Sequence, residues 1–404
     1  MTCSDLANDI TRLVYAEYVK LKPTNKPKVK SNGIRECTVL ASIVAVRNDG
    51  QSIDDSLHIL TLTTGVKTVP DLEIARSNGK MVHDSHAEIL AIRGFNVFLL
   101  NEMIQLKNGE NSQYLLKSIR NSDNGDISKY RWNSQWSLAL FISRLPCGDA
   151  SMDAMESSCF TEDERLVNIS DDDPYQYVIP SKNQTLRGRF NFKKKGYVRT
   201  KPGRQDSKMT LSKSCSDKIC LRQVISLNNA LTFCLMDTPV YLKYMIIPDI
   251  DKQSNKALHR CFQERLQNCS YPVHSLEIVS SQDCFIDDIS KDKEPSPISV
   301  VKIFNDPECR VLEQAIVNGV KNGTYTKPGK PLRRGCESVV SRYGLWKKIT
   351  DLFPNRDFNS YTYETYKKEF SSENKIRNDM ILAVKKCLTK GEDWICTHRD
   401  DFNL

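Results

Sequence analysis

His86-Ala87-Glu88 and Pro146-Cys147 are the residues of this sequence best equipped for chemistry. Imidazole nitrogen and cysteine thiolate are donors that zinc prefers, and a catalytic zinc keeps three protein ligands and one position open for water. Glu88 stands two residues from His86. On a helix that offset is about 200° around the axis, so the two side chains do not both point straight at one ion. The spacing suits a histidine ligand beside a longer acid that reaches the activated water and moves its proton.

The third ligand is not given by these two blocks. A Pro-Cys-x-x-Cys pattern needs Cys at position 150, and Ala150 stands there. Cys159, Cys215 and Cys220 are the nearest alternatives along the chain. Cys215 opens a helical pattern, and a helix N-terminus lowers a thiol pKa, which suits a thiolate ligand. Each block also has a plain reading: His-x-Glu recurs by chance, and Pro-Cys-Gly-Asp can be a simple turn. Taken together, a His-x-Glu and a Pro-Cys in this order suggest the zinc nucleobase deaminases, in which the Glu shuttles protons and does not bind metal.

The elements around the blocks fit such a site. Ile89, Leu90, Ile92, Phe95, Phe98, Leu99 and Met103 predict a buried helix over His86–Leu106. Trp136–Leu145 is a continuous apolar run, a central strand that ends at Pro146. Open α/β sheets gather their sites at such strand ends and helix starts. Asp5–Leu21 predicts a helix, and Thr38–Val46, Leu57–Leu62 and Tyr241–Ile247 predict strands. Cys220–Leu235 predicts a second buried helix, and Glu337–Leu352 and Thr365–Leu388 predict a largely helical C-terminal third. Polar residues 107–134 predict a surface insertion, and residues 162–173 and 181–214 predict loops. The alternation of strands and helices argues an α/β layered fold. No linker divides residues 1–404, so one domain is expected: an N-terminal helix and loop at 1–32, a basic loop insertion at 182–213, and a helical part at 319–404.

The net charge of +8 is unevenly spread. Residues 182–218 hold twelve Lys/Arg against two acids, and residues 319–399 hold seventeen against nine. Two basic regions on a neutral-to-acidic body predict a polyanionic partner, nucleic acid first; the alternative is a solvated basic loop. The opening Met1-Thr2-Cys3-Ser4-Asp5 has neither a basic nor an apolar leader region, and no run of 18 apolar residues occurs. With fourteen cysteines, the expectation is an intracellular protein with reduced thiols, in nucleus and/or cytoplasm, and no membrane association.

Three blocks carry a family resemblance: Asp84-Ser85-His86-Ala87-Glu88-Ile89, Leu145-Pro146-Cys147-Gly148-Asp149-Ala150 and Ser214-Cys215-Ser216-Asp217-Lys218-Ile219. Their order and wide spacing resemble the adenosine deaminase domain of the RNA editases (the ADAR group) and of the tRNA adenosine-37 deaminases, from about residue 33 onward. The resemblance implies a cytidine-deaminase-like layered fold, with a central mixed sheet flanked by helices and a large helical C-terminal elaboration. It implies His86, Cys147 and Cys215 as zinc ligands and Glu88 as the proton-shuttling acid. It also implies buried inositol hexakisphosphate, with Ile89, Arg93, Lys218, Arg342, Tyr363, Lys367, Arg377 and Trp394 at the matching positions. The alternative for those cations is exposed Lys/Arg on amphipathic helices.

Two observations favour the tRNA branch of the family. Only about 30 residues precede the matching region, whereas the editases carry double-stranded RNA binding domains there. Arg199-Thr200-Lys201-Pro202-Gly203-Arg204 resembles a segment of the tRNA branch. The resemblance therefore implies a monomeric enzyme that converts adenosine to inosine beside the anticodon of alanine tRNA, with Lys67, Arg199, Lys201 and Arg204 as phosphate contacts. The alternatives are a messenger-RNA editing deaminase and a non-catalytic RNA-binding paralogue. Some positions depart from the family pattern: Arg222-Gln223 and Ser226-Leu227-Asn228-Asn229 follow the third block, where Arg222 substitutes as a contact, and Val66 replaces a hydroxyl residue before Lys67.

Overall fold

Alternation within Leu40–Arg47 sets the layering of the molecule. Ala41, Ile43 and Ala45 belong to one apolar cluster, and Leu40, Val44 and Val46 to another. Successive strand side chains point to opposite faces, so a strand apolar on both faces needs cover on both. The computed structural model supplies it. It describes residues 2–48, 56–118, 129–157, 173–179, 184–188, 190–201, 208, 210–358, 360–369, 372–390, 394–397 and 400–403.

Eight strands form one mixed sheet: β1 Leu40–Arg47, β2 Leu57–Thr64, β3 Trp136–Ile142, β4 Tyr244–Pro248, β5 Glu277–Ser281, β6 Ile298–Asp306, β7 Arg310–Val317 and β8 Val320–Lys321. Their spatial order is β5-β4-β3-β1-β2-β6-β7-β8. β3, β4 and β5 run parallel, and the other neighbouring pairs are antiparallel. The helices are α1 Cys3–Val19, α2 Ala87–Lys107, α3 Cys215–Ile225, α4 Lys252–Phe262, α5 Arg342–Leu352, α6 Tyr363–Glu369 and α7 Ser372–Leu388, with shorter turns between. α1 lays Leu6, Ala7, Ile10, Val14 and Tyr18 on one face of the sheet. α2 lies on the other, in the cluster that also holds Trp346 of α5 and Val384 of α7. This is the layered α/β fold expected, with helices gathered in the C-terminal part.

Several expectations need correction. The C-terminal third is not mostly helical: β5–β8 complete one edge of the sheet there. The helix expected over Cys220–Leu235 begins at Cys215 and breaks at Ser226, whose φ is +71°. A short turn, Ala230–Phe233, then starts under the Asn229 side chain, which accepts from the Leu231 and Thr232 amides. Thr365–Leu388 is two helices, α6 and α7. Residues 107–134 are not wholly a polar surface insertion: Leu115–Lys117 pairs with Tyr130–Trp132, and Tyr114 and Trp132 pack on Phe98 and Phe95. The basic segment carries a small sheet, Tyr177–Ile179, Gln184–Arg187 and Arg199–Thr200. The acidic loop at 162–173 lies, except for Asp173, outside the described residues.

By length and hydropathy α2 could cross a membrane, yet 78% of its most apolar window is buried within the protein. Its place is the core.

Candidate active site

The site begins where α2 begins. A short strand, Asp84–His86, pairs antiparallel with Val66–Thr68 and runs directly into the helix. Ala87 N donates to Gly65 O at 3.0 Å, and Thr63 Oγ1 donates to Ala87 O at 2.7 Å. These bonds fix His86, the N-cap residue, against the sheet. Gly65 has no room for a side chain there, because a Cβ would lie 2.1 Å from Ser85 O.

Cys147 follows the end of β3, and Cys215 is the first residue of α3. The two loops are locked together. Ser216 donates to Cys147 O through its amide at 3.0 Å and its hydroxyl at 2.9 Å. The Cys215 amide points at Cys147 Sγ, 3.4 Å away. His86 Nδ1 lies 3.8 Å from Cys147 Sγ and 3.6 Å from Cys215 Sγ. All three donor atoms fall within 4.8 Å of one another. One imidazole and two sulphurs converging in this way fit a borderline-soft divalent cation and leave one tetrahedral position open. Cys159 is outside the described residues, and Cys220 instead faces Cys261, with 4.0 Å between the sulphurs.

Glu88 is buried beside this cluster, and its Oε2 has no hydrogen-bond partner in the protein. A buried carboxylate oxygen is rarely left alone, so this one is kept for something the protein binds. His86, Glu88 and Cys147 share one cavity of about 500 Å³. Lys67, Arg144, Lys208 and Lys293 also line it, and among the described residues Glu88 is its only carboxylate. The cavity thus presents cations around a reactive floor.

Arg199 and Lys201 require a correction. Both were expected to meet RNA phosphates, and both side chains are buried. Arg199 donates to the carbonyls of Gly188, Phe190, Asn191 and Lys194, holding its own segment together. Lys201 Nζ sits 2.8 and 2.9 Å from the Asp84 carboxylate and 2.9 Å from Cys215 Sγ. Neither ammonium nor guanidinium is left for a phosphate. Lys67 is exposed at the cavity mouth, and Arg204 lies outside the described residues.

A second cavity, of about 390 Å³, lies behind the first. Ile89, Arg93, Lys218, Arg342 and Trp394 line it, as do Lys213, Arg222 and Lys385, with Asp84 and Asp400 the facing acids. Burial, and after it the charges of Arg377 and Arg93, push the Arg222 guanidinium down to about 9. Burial likewise pushes Arg93 down to about 10. A guanidinium keeps its proton in proteins, so these shifts express a charge held at a cost that an anion would relieve. Arg377 is buried outside the cavity lining, donating to Asn228 O at 3.2 Å. Tyr363 is buried outside the lining too, and Lys367 pairs with Glu364 at 2.8 Å. Three of the eight expected contacts therefore stand back from the space itself.

Asp84 joins the two cavities. It holds Lys201 on the metal side and Lys218 on the basic side, and accepts from the His86 amide at 3.1 Å. Its place two residues before His86 was legible, but its role was not. Arg144, Lys208 and Lys293 were likewise passed over, since each stands alone in sequence.

A His/Cys/Cys cluster with a buried acid beside it, at a strand end and two helix starts of a layered α/β fold, is the site of a hydrolytic nucleobase deaminase. Residues 61–394 match the adenosine-deaminase (editase) domain, and the chain belongs to that family. The chain is 41% identical to the tRNA-specific adenosine deaminase 1 of Saccharomyces cerevisiae, over 98% of this chain and 94% of the relative. It is 31% identical to the protein of the same name in Schizosaccharomyces pombe, over 80% and 81%. Similarity to the double-stranded RNA-specific adenosine deaminase of Mus musculus is 25% and covers 82% of this chain but 27% of that protein. The protein is an enzyme that deaminates adenosine.

Proposed function

We infer that the enzyme is zinc-dependent and converts adenosine to inosine in tRNA, at position 37 beside the anticodon of alanine tRNA. The observation that carries the chemistry is the unpartnered Oε2 of Glu88 beside the His86, Cys147 and Cys215 donors. The tRNA reading rests on full-length similarity to proteins named tRNA-specific deaminases. The cationic cavity mouth supports a nucleic-acid substrate.

His86, Cys147 and Cys215 would hold the zinc. Zinc bound there supplies Lewis-acid activation of water at neutral pH. Glu88 Oε2 takes a proton from the attacking water, gives it to N1 of the adenine and returns a proton to the departing amine. The C6–O bond forms, the C6–N bond breaks, and ammonia leaves. Lys67 and Lys293 at the mouth meet backbone phosphates, and the base enters from an unstacked loop position, where it pays little to be exposed.

Inositol hexakisphosphate is the polyanion proposed for the second cavity, supported by the crowded cations Arg93, Lys218, Arg222 and Arg342. The enzyme is proposed to act as a monomer inside the cell, in nucleus and/or cytoplasm, as one domain over 1–404. Incubation with an alanine tRNA transcript, read by sequencing for adenosine-to-guanosine change, tests the substrate assignment. Conversion confined to position 37 is expected. Conversion only in long double-stranded RNA would overturn it and favour the editing alternative.

A further inference from the structure

Each cysteine of the metal cluster is followed, two residues on, by a fully buried aspartate: Cys147 by Asp149 and Cys215 by Asp217. Both aspartates reach the same stretch of chain. Asp149 Oδ2 accepts from Arg260 Nε at 3.3 Å, and its main-chain oxygen accepts from Arg260 Nη2 at 3.0 Å. Asp217 Oδ1 accepts from Arg265 Nη2 at 2.5 Å. Arg265 Nη1 also stands 4.0 Å from Asp149 Oδ2, so one guanidinium lies between the two acids. Arg260 is on α4, and Arg265 is in the Glu264–Leu266 turn directly after it.

The remaining oxygens are used as well. Asp149 Oδ1 accepts from Gly196 N at 2.5 Å. Asp217 Oδ2 accepts from Arg199 N at 3.1 Å and from Ser214 Oγ at 2.6 Å. Arg260 Nη2 donates to Asp153 Oδ2 at 2.6 Å and so holds the turn after Asp149 a second time. Every lever on the two cysteine loops therefore ends at one short segment of α4 and its following turn.

We propose that Arg260 and Arg265 are positioning residues for the metal, which set the spacing between the Cys147 and Cys215 sulphurs by clamping Asp149 and Asp217. A tetrahedral ion tolerates little error in sulphur separation, because both metal–sulphur bonds are about 2.3 Å long. Two loops from distant parts of the chain have no such precision of their own. An arginine fork binds carboxylate with fixed geometry, which a lysine does not reproduce. Outer partners of metal ligands tune affinity in this way, and their loss typically weakens binding by roughly 10- to 100-fold. The proposal rests on the assignment of His86, Cys147 and Cys215 as ligands.

The full chain carrying Arg260→Met, Arg265→Lys or Arg265→Met would be compared with Lys302→Met. Lys302 is a buried cation paired with Glu17 at 2.6 Å on the sheet, away from the cluster, and it controls for the loss of any buried ion pair. Three readouts are taken: zinc affinity by chelator competition, the visible absorption of the cobalt-substituted protein, and the urea midpoint. A roughly 10- to 100-fold loss of zinc affinity and a changed cobalt spectrum are expected in the arginine variants. Lys302→Met should lose stability and keep both metal readouts. Wild-type affinity and spectrum in the arginine variants would overturn the proposal, as would an equal loss in Lys302→Met. If Arg265→Met does not fold, Arg260→Met, whose side chain is 20% exposed, decides by the same readouts. Wild-type protein that binds no zinc would overturn the ligand assignment itself.

Discussion

A Cβ on Gly148 would lie 2.2 Å from Ser214 Oγ. The two residues flank the metal cysteines, one just after Cys147 and the other just before Cys215. Gly148 also has φ +101°, a conformation that side chains other than hydrogen resist. Gly148→Ala should therefore push the two loops apart. A backbone strain of about 1–3 kcal/mol is expected, with a lower melting temperature and substoichiometric zinc by elemental analysis. Full zinc occupancy at wild-type stability would contradict this packing argument.

Glu88→Ala should remove turnover and leave the metal. Loss of a positioned proton shuttle lowers rates by roughly 10²–10⁴, and Glu88 is not among the three converging donors. Single-turnover inosine formation and zinc content, measured on the same preparation, check the split. Inosine formation at the wild-type rate would remove Glu88 from the mechanism.

Arg199→Ala and a combined Lys67→Ala, Lys208→Ala, Lys293→Ala variant should fail in different ways. Arg199 satisfies four main-chain carbonyls inside the protein. Each buried acceptor stripped of its donor costs roughly 1–3 kcal/mol, so Arg199→Ala should lower the urea midpoint markedly. The lysine variant should fold normally and bind tRNA more weakly. Its slope of log affinity against log salt should shrink by about 2, since each lost phosphate contact removes close to one unit. Identical salt slopes for the lysine variant and the wild type would show that these cations do not touch the backbone.

The second cavity predicts a co-purifying polyanion. Acid extraction of the purified protein should release an inositol phosphate in about equimolar amount, detected as phosphorus by mass spectrometry. Arg222→Met should reduce that yield and lower the melting temperature. Protein stripped of anion should regain about 2.7 kcal/mol of stability at a hexakisphosphate concentration 100 times its dissociation constant. Phosphorus-free protein of unchanged stability would leave the cavity without its proposed occupant.

The catalytic quartet was legible because its chemistry demands rare residue types in fixed local settings. His86, Glu88, Cys147 and Cys215 each stand at an element boundary that apolar periodicity marks, and they converge as the resemblance implied. Arg199 and Lys201 were misread for a physical reason. A basic run looks alike whether water or the protein interior receives it, and the deciding partners, Asp84 and the carbonyls of 188–194, are set by tertiary folding. β7 escaped notice because its residues alternate too weakly: most of Arg310–Val317 is exposed or half-buried, as an edge of the sheet must be. The break at Ser226 was hidden as well, since apolar residues continue on both sides of it.

The donors of the metal cluster are widely separated along the chain: His86 stands 61 residues from Cys147 and 129 from Cys215. Bringing such distant points together is slow, because the entropy of closing the intervening loops is lost before any bond rewards it. The ion therefore cannot seed folding here as it does in a small metal-stapled module, where ligands lie a few residues apart. The sheet and α2 must assemble first, and the metal is captured by a chain that already has its shape.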